Sequence, residues 1–175
     1  MIEWRQTIGW GVREENRSDL QQFTRSFLAI SSALVRLLAV NSTMSLSIQF
    51  DSVRKLLLVS YGGEFSLSDA QSTFQEVLEA IVEHGVKKIL VDGRQIDGDP
   101  EPLERFYYGK YVADAVSQTV NRMKIDVPRF AYVLEEPVLD PMRFGETVAV
   151  NRGMRVKAFD DIKRAEWWLG VSSAE

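Results

Sequence analysis

A chain of 175 residues, 45% of them hydrophobic, can bury one good core, and no stretch rich in Gly, Ser or Pro divides it. Its 21 basic and 25 acidic side chains leave a formal charge of −4, which offers no broad footprint for nucleic acid or anionic lipid. The absence of cysteine excludes disulfides, thiolate metal sites and a thiol nucleophile, and a single histidine excludes most His-based metal sites and disfavours a His-dependent triad.

Residues 1–43 differ from the rest. They carry Arg5, Arg13, Arg17, Arg25 and Arg36 beside Glu3, Glu14, Glu15 and Asp19, and an apolar run from Phe27 to Val40 that Arg36 interrupts. The run is about 14 residues long, short of the roughly 20 a bilayer span needs. Three readings compete. A signal peptide fits poorly, with acidic residues ahead of the run and Arg36 inside it. An amphipathic helix fits the spacing of Phe23, Phe27, Leu34 and Leu38. An upstream extension from a misassigned start is preferred, because the segment has no compact partner of its own and a self-contained strand pattern opens at Met44.

From Met44 the elements follow in order. Leu46, Ile48 and Phe50 alternate with polar residues, Asp51-Ser52 reads as a tight turn, and Lys55 to Tyr61 gives a second, more continuously apolar strand. Gly62-Gly63 reads as a strand-to-helix turn. A helix follows, capped by Ser66 or Ser68, with Leu67, Ala70, Phe74, Val77, Leu78, Ile81 and Val82 on one face, His84 at its end and Gly85 as its stop. Lys87 to Asp92 is a short buried strand, and a polar loop leads to Asp99-Pro100 as cap and first helical residue of a long helix to about Met123. Its expected core face is Leu103, Phe106, Val112, Val116, Val120 and Met123. Pro128 to Leu134 is the fourth strand. Asp140 caps a helix with Pro141 at its first position, Phe144 and Val148 on one face, and an end near Arg152-Gly153. Met154, Val156 and Ala158 alternate with Arg155 and Lys157 as a fifth strand, and Asp160 or Asp161 caps a last helix carrying Ile162, Ala165, Trp168 and Leu169. Residues 171–175 read as a frayed tail.

Strands alternating with helices require right-handed crossovers and a mostly parallel five-stranded sheet, with the first hairpin strand antiparallel. The order β-β-α-β-α-β-α-β-α resembles the STAS arrangement. Lys88-Ile89-Leu90-Val91-Asp92-Gly93, Leu103-Glu104-Arg105-Phe106-Tyr107-Tyr108-Gly109, and above all Arg143-Phe144-Gly145-Glu146-Thr147-Val148-Ala149 with Asn151-Arg152-Gly153, resemble the SpoIIAA-like family, small bacterial relatives of the STAS domain. The likeness covers roughly residues 44–170. It implies a single α/β domain behind an N-terminal helical extension, without catalysis or cofactor, acting in the cytoplasm as a regulatory module that binds another protein or its own copy. Structural kinship of that group with CRAL-TRIO domains implies an alternative, a carrier of a lipid or small hydrophobic ligand held beside Phe106, Tyr108 and Tyr111. Neither reading calls for nucleic acid or a membrane span.

Candidate contact residues follow from the fold. Ligands of α/β sheets approach the carboxyl ends of strands, which singles out the Asp92-Gly93-Arg94 turn. In anti-sigma-factor antagonists the loop after this strand carries a switching phosphoserine, whereas positions 92–99 here contain no Ser or Thr. Arg94 could take a carboxylate or phosphate, against the commoner fate of a solvated loop arginine. Asp92, Asp97, Asp99, Glu101 and Glu104 form an acidic run, but without the ligand spacing of a calcium loop; capping of the following helix is the better reading, and no metal is expected. A hydrolase or transferase using Asp92 and Glu104 is the residual enzymatic reading. Tyr108 and Tyr111 lie off the expected core face and suit a pocket or partner surface. Of Trp167 and Trp168, adjacent on one helix, one should cap the core and the other stand out, where it could anchor a dimer.

Overall fold

The computed structural model describes residues 43–171. The readings given for the leader before Thr43 and for residues 172–175 lie outside them. Five strands, β1 (Met44–Asp51), β2 (Leu56–Glu64), β3 (Lys88–Asp97), β4 (Arg129–Val133) and β5 (Arg155–Phe159), form one sheet in the order of the chain. Only β1 with β2 is antiparallel; every other pair is parallel. Helices α1 (Leu67–His84), α2 (Pro102–Met123), α3 (Phe144–Val150) and α4 (Ile162–Leu169) alternate with them. The element order is the one the STAS resemblance implies.

Sequential order has a consequence for layering. Three successive right-handed crossovers that all step the same way place α1, α2 and α3 on one face of the sheet. The larger core lies there, with Leu57, Val59, Ile89, Val91 and Phe130 from the strands against Phe74, Val77, Ile81, Val112 and Val116 from the helices. After β5 the chain folds α4 over the other face, where Leu56, Leu90, Ala131, Val133 and Phe159 meet Ala165 and Leu169. Cations hold α4 near its C-terminal end, where its dipole favours them. The Lys88 ammonium donates to the Gly170 carbonyl at 3.0 Å, and Arg129 donates to the Trp168 carbonyl at 2.5 Å with its guanidinium 4.4 Å above the indole.

Local chemistry accounts for most element ends. Ser66 caps α1 by accepting the Asp69 N–H, Gly85 ends that helix, and Asp161 caps α4 by accepting the Arg164 N–H at 2.8 Å. His84 stacks on Phe50, ring centroids 4.5 Å apart, at the close of α1.

Several boundaries and faces differ from expectation. Gly62-Gly63 is not a turn: β3 continues to Asp97, so Gly62, Gly63 and Glu64 keep pairing, with Gln95, Ile96 and Asp97. For the same reason Asp92-Gly93-Arg94 lies within β3 rather than in a loop after it. Helix α2 begins at Pro102, not Pro100. Glu101 precedes a proline, which disfavours helical backbone, and it stays extended as the N-cap. Leu103 and Met123 are exposed, and the buried face of α2 is Gly109, Val112, Ala113, Val116 and Thr119. Asp140 to Arg143 forms a turn, so α3 starts at Phe144, which is exposed. Asp140 still serves that helix, its carboxylate accepting the N–H groups of Met142 at 2.9 Å and Phe144 at 2.7 Å. Val171, expected in a frayed tail, is buried on the α4 side.

Candidate functional site

A cavity of about 140 Å³ lies between the carboxyl-terminal half of the sheet and the helix pair α2–α3. Its sheet side is formed by Tyr61 of β2, Ile96 of β3, Tyr132 of β4 and Val156 of β5, and its helix side by Tyr108, Gly109 and Val112 of α2 with Gly145 and Ala149 of α3. Inward-facing positions on parallel strands supply the first group by simple alternation. The helix wall depends on close approach: a Cβ on Gly109 would stand 2.6 Å from the Gly145 carbonyl oxygen, so only glycine lets α2 and α3 pack at this crossing.

Four charged side chains also reach the cavity, and all are engaged. Arg105 donates to the carbonyls of Pro100, Val138 and Pro137 at 2.8, 2.7 and 2.8 Å, and to Asp99 at 3.1 Å, tying the loop before α2 to the loop before α3. Arg143, in left-handed backbone at φ 53°, donates to the Ala158 carbonyl, and Glu146 accepts the Ala158 N–H at 2.8 Å. Asp140 holds the start of α3. Desolvation is the largest influence on its carboxyl and pushes its pKa up, but the Phe144 and Met142 N–H groups with Arg105 and Arg143 outweigh it and leave it below the usual carboxylate range.

Three tyrosines, Tyr61, Tyr108 and Tyr132, also belong to the wall. The hydroxyls of Tyr108 and Tyr132 stand 3.4 Å apart, a weak hydrogen bond. The Tyr61 hydroxyl, on a side chain 5% exposed, has no hydrogen-bond partner among the described residues. The Thr73 hydroxyl lies beside it, where hydrogen bonding toward the phenol partly offsets the effect of burial, and donates to the Asp69 carbonyl at 2.7 Å. Burial holds all three phenols protonated, far above the ordinary tyrosine range.

Of the residues singled out from sequence, the cavity takes Tyr108 as part of its wall, and Gly93 stands behind it, close against Leu134 and Ile96. Asp92 and Arg94 are elsewhere and pair with each other, through Nε to Oδ1 at 2.9 Å and Nη2 to Oδ2 at 2.7 Å. That bond holds the Asp92 carboxyl below its usual range and occupies the Arg94 guanidinium. Glu104 accepts the Glu101 N–H at 2.8 Å and fixes the start of α2. Tyr111 donates to the Gln71 carbonyl at 3.0 Å, across a surface groove between α1 and α2. The apolar slot expected beside Phe106, Tyr108 and Tyr111 is thus centred differently, since Phe106 belongs to a surface cluster described next. Among the described residues no three His, Asp or Glu side chains converge as a metal site would require, and no helix is long and apolar enough to cross a membrane. The sequence reading missed Tyr61, Tyr132, Arg105 and Arg143 as wall residues; strand alternation could have found the first two.

Next to the cavity, on the outer side of the same helix pair, aromatic side chains reach solvent. Phe106 meets Tyr107 edge-on at 5.6 Å and stacks with Phe144 at 6.3 Å, and the Arg152 guanidinium lies 5.5 Å above the Phe106 ring. Leu103, one turn earlier on α2, is 64% exposed and Phe144 42%.

No protein-family model matches the chain, and no curated protein sequence does. Among solved structures it is similar to the crystal structure of an anti-sigma factor antagonist from Mycobacterium paratuberculosis, at 10% sequence identity and a TM-score of 0.46, covering 73% of this chain and 94% of that one.

Proposed function

We propose that this chain is a non-catalytic, cytoplasmic regulatory module of STAS-like type that works by binding another protein or a second copy of itself. The observation that carries this reading is the exposed aromatic face of α2 and α3, formed by Leu103, Phe106, Tyr107 and Phe144. Contiguous apolar surface on a folded domain costs free energy in water and commonly marks a protein contact, with aromatic side chains as its anchors. The engagement of the nearby carboxylates supports the non-catalytic part: Asp92 is held by Arg94, Asp99 by Arg105, and Glu104 by the start of α2. Switching by a phosphoserine at the end of β3 or in the loop after it has no hydroxyl to use, since residues 92–101 contain no Ser or Thr.

Light scattering and affinity capture on the full chain at near-native concentration test this. The double substitution Leu103→Glu and Phe144→Glu should weaken the captured or self-associated complex at least tenfold, the scale of a disrupted hot spot, and lower the urea midpoint only slightly, by the loss of the Phe106 stacking contact. A clean monomer with no captured partner, or a complex indifferent to the substitution, contradicts the reading.

A further inference from the structure

We propose that the outer edge of β1 is a docking site for an extended, basic segment of a partner protein, which joins the sheet as an additional strand. The two edges of this sheet are finished differently. At β5, Arg155 and Lys157 are exposed, and the Ala158 N–H and carbonyl are taken by the side chains of Glu146 and Arg143. Charged side chains and occupied backbone groups are how native sheets prevent pairing at an edge. β1 has neither. It runs in unbroken antiparallel register with β2, contains no Lys, Arg, Pro or bulge, and among the described residues pairs with β2 alone. Alternate residues of such a strand turn their N–H and C=O groups outward, a row of donors and acceptors that another strand can meet.

The side chains beside this edge set the chemistry of the segment. Leu46, Ile48 and Phe50 are half-buried on the side of the larger core, while Ser45, Ser47 and Gln49 are exposed on the other side. Helix α1 lies along the apolar side: Asp69 near its start accepts the Thr43 N–H at 2.8 Å, and His84 at its end stacks on Phe50. Asp69, Glu76 and Glu83 recur at heptad spacing and so form one stripe on this flank of the helix, and Glu79 lies off it. The opposite flank faces α2, through Gln71 and Gln75 with Tyr111. α1 contains no Lys or Arg, and among the described residues no cation pairs with the exposed Glu76 or Glu83.

An entering strand with Arg or Lys on its α1 side satisfies both features. The aliphatic stems cover Leu46, Ile48 and Phe50, and the charged heads reach the glutamates. Short polar residues suit the side of Ser45, Ser47 and Gln49. A second copy of this chain fits poorly, because pairing β1 with its own image about a two-fold axis sets two acidic stripes side by side. Charge thus selects a basic partner over self-association at this edge.

NMR titration of the full chain tests this with acetyl-Thr-Arg-Thr-Arg-Thr-Arg-Thr-amide, its counterpart with Glu for Arg, and its counterpart with Pro for Thr. The Thr-Arg peptide should saturate, with its largest shifts at Ser45 to Phe50 and none at β5. The Glu counterpart should not bind. The Pro counterpart keeps the charge but loses every second N–H donor, and should bind at least about fivefold more weakly. Glu76→Lys with Glu83→Lys, both at exposed positions, should weaken the Thr-Arg peptide by at least about fivefold. Leu103→Glu with Phe144→Glu should leave it unchanged, which separates this edge from the α2–α3 face. Failure of the Thr-Arg peptide to saturate would overturn the proposal, as would equal binding of the Pro counterpart, the result of a diffuse electrostatic contact. Indifference to the Glu76 and Glu83 substitutions would do the same. So would shifts at Ser45 to Phe50 on raising the concentration of the chain alone, which would make a second copy the occupant.

Discussion

Arg105 shows how much one side chain can organise without announcing itself. Its guanidinium bridges the loop before α2 and the loop before α3, reaching a carbonyl 33 positions along the chain. Hydrogen bonds from a charged donor are worth about 1.5–3 kcal/mol each in isolation and are not additive. Arg105→Ala should therefore destabilise the chain by about 2–4 kcal/mol in urea unfolding, and Arg105→Lys, which keeps the charge but loses the planar fork, should recover less than half of that. A cost under about 0.5 kcal/mol for Arg105→Ala would show that the bridge is ornamental. Nothing in the sequence distinguished this arginine, since an Arg between Glu104 and Phe106 on a helix reads as a solvated residue. Tyr61 was legible in part. Its place on the inward face follows from alternation with Ser60 and Gly62, but the surroundings of its hydroxyl depend on Thr73 and Tyr108, which the fold brings in from α1 and α2.

At the scale of elements, legibility tracked the range of the interaction that sets each boundary. Ser66, Gly85 and Asp161 end their helices by bonds within a turn, and such caps can be read from a few adjacent residues. The start of α2 is also local, but its signal lies two residues beyond Asp99-Pro100, in the effect of Pro102 on Glu101. The length of β3 was not local at all. Its second half, Asp92 to Asp97, is a strand because Gly62 to Glu64 on β2 continue to pair with it, so neither segment reveals its state alone. The α2–α3 crossing is of the same kind, since it rests on two glycines 36 positions apart. Gly109→Ala gains about 1 kcal/mol of helix propensity but forces a methyl group against the Gly145 carbonyl. A net loss of about 1–2 kcal/mol is expected, read as a lower urea midpoint with an unchanged slope. A stability gain would mean the helices can part freely.

For the whole molecule, sheet order explains where a functional surface can lie. Because every crossover steps the same way, α1, α2 and α3 share one face, and the short α3 leaves the outer side of α2 open near its N-terminus. The same helix pair presents Phe106, Tyr107 and Phe144 outward and walls the cavity inward. Trp167, 75% exposed on α4, stands on the other face of the sheet and belongs to neither. The central claim is that the outward aromatic face meets a protein. Site-specific photocrosslinking in cells expressing the full chain tests it most directly, with the reactive side chain placed at Leu103 and, for comparison, at exposed Glu79 on α1. A discrete heavier product from position 103 and none from position 79 is predicted. Equal labelling from both positions, or no product from position 103, would contradict the account.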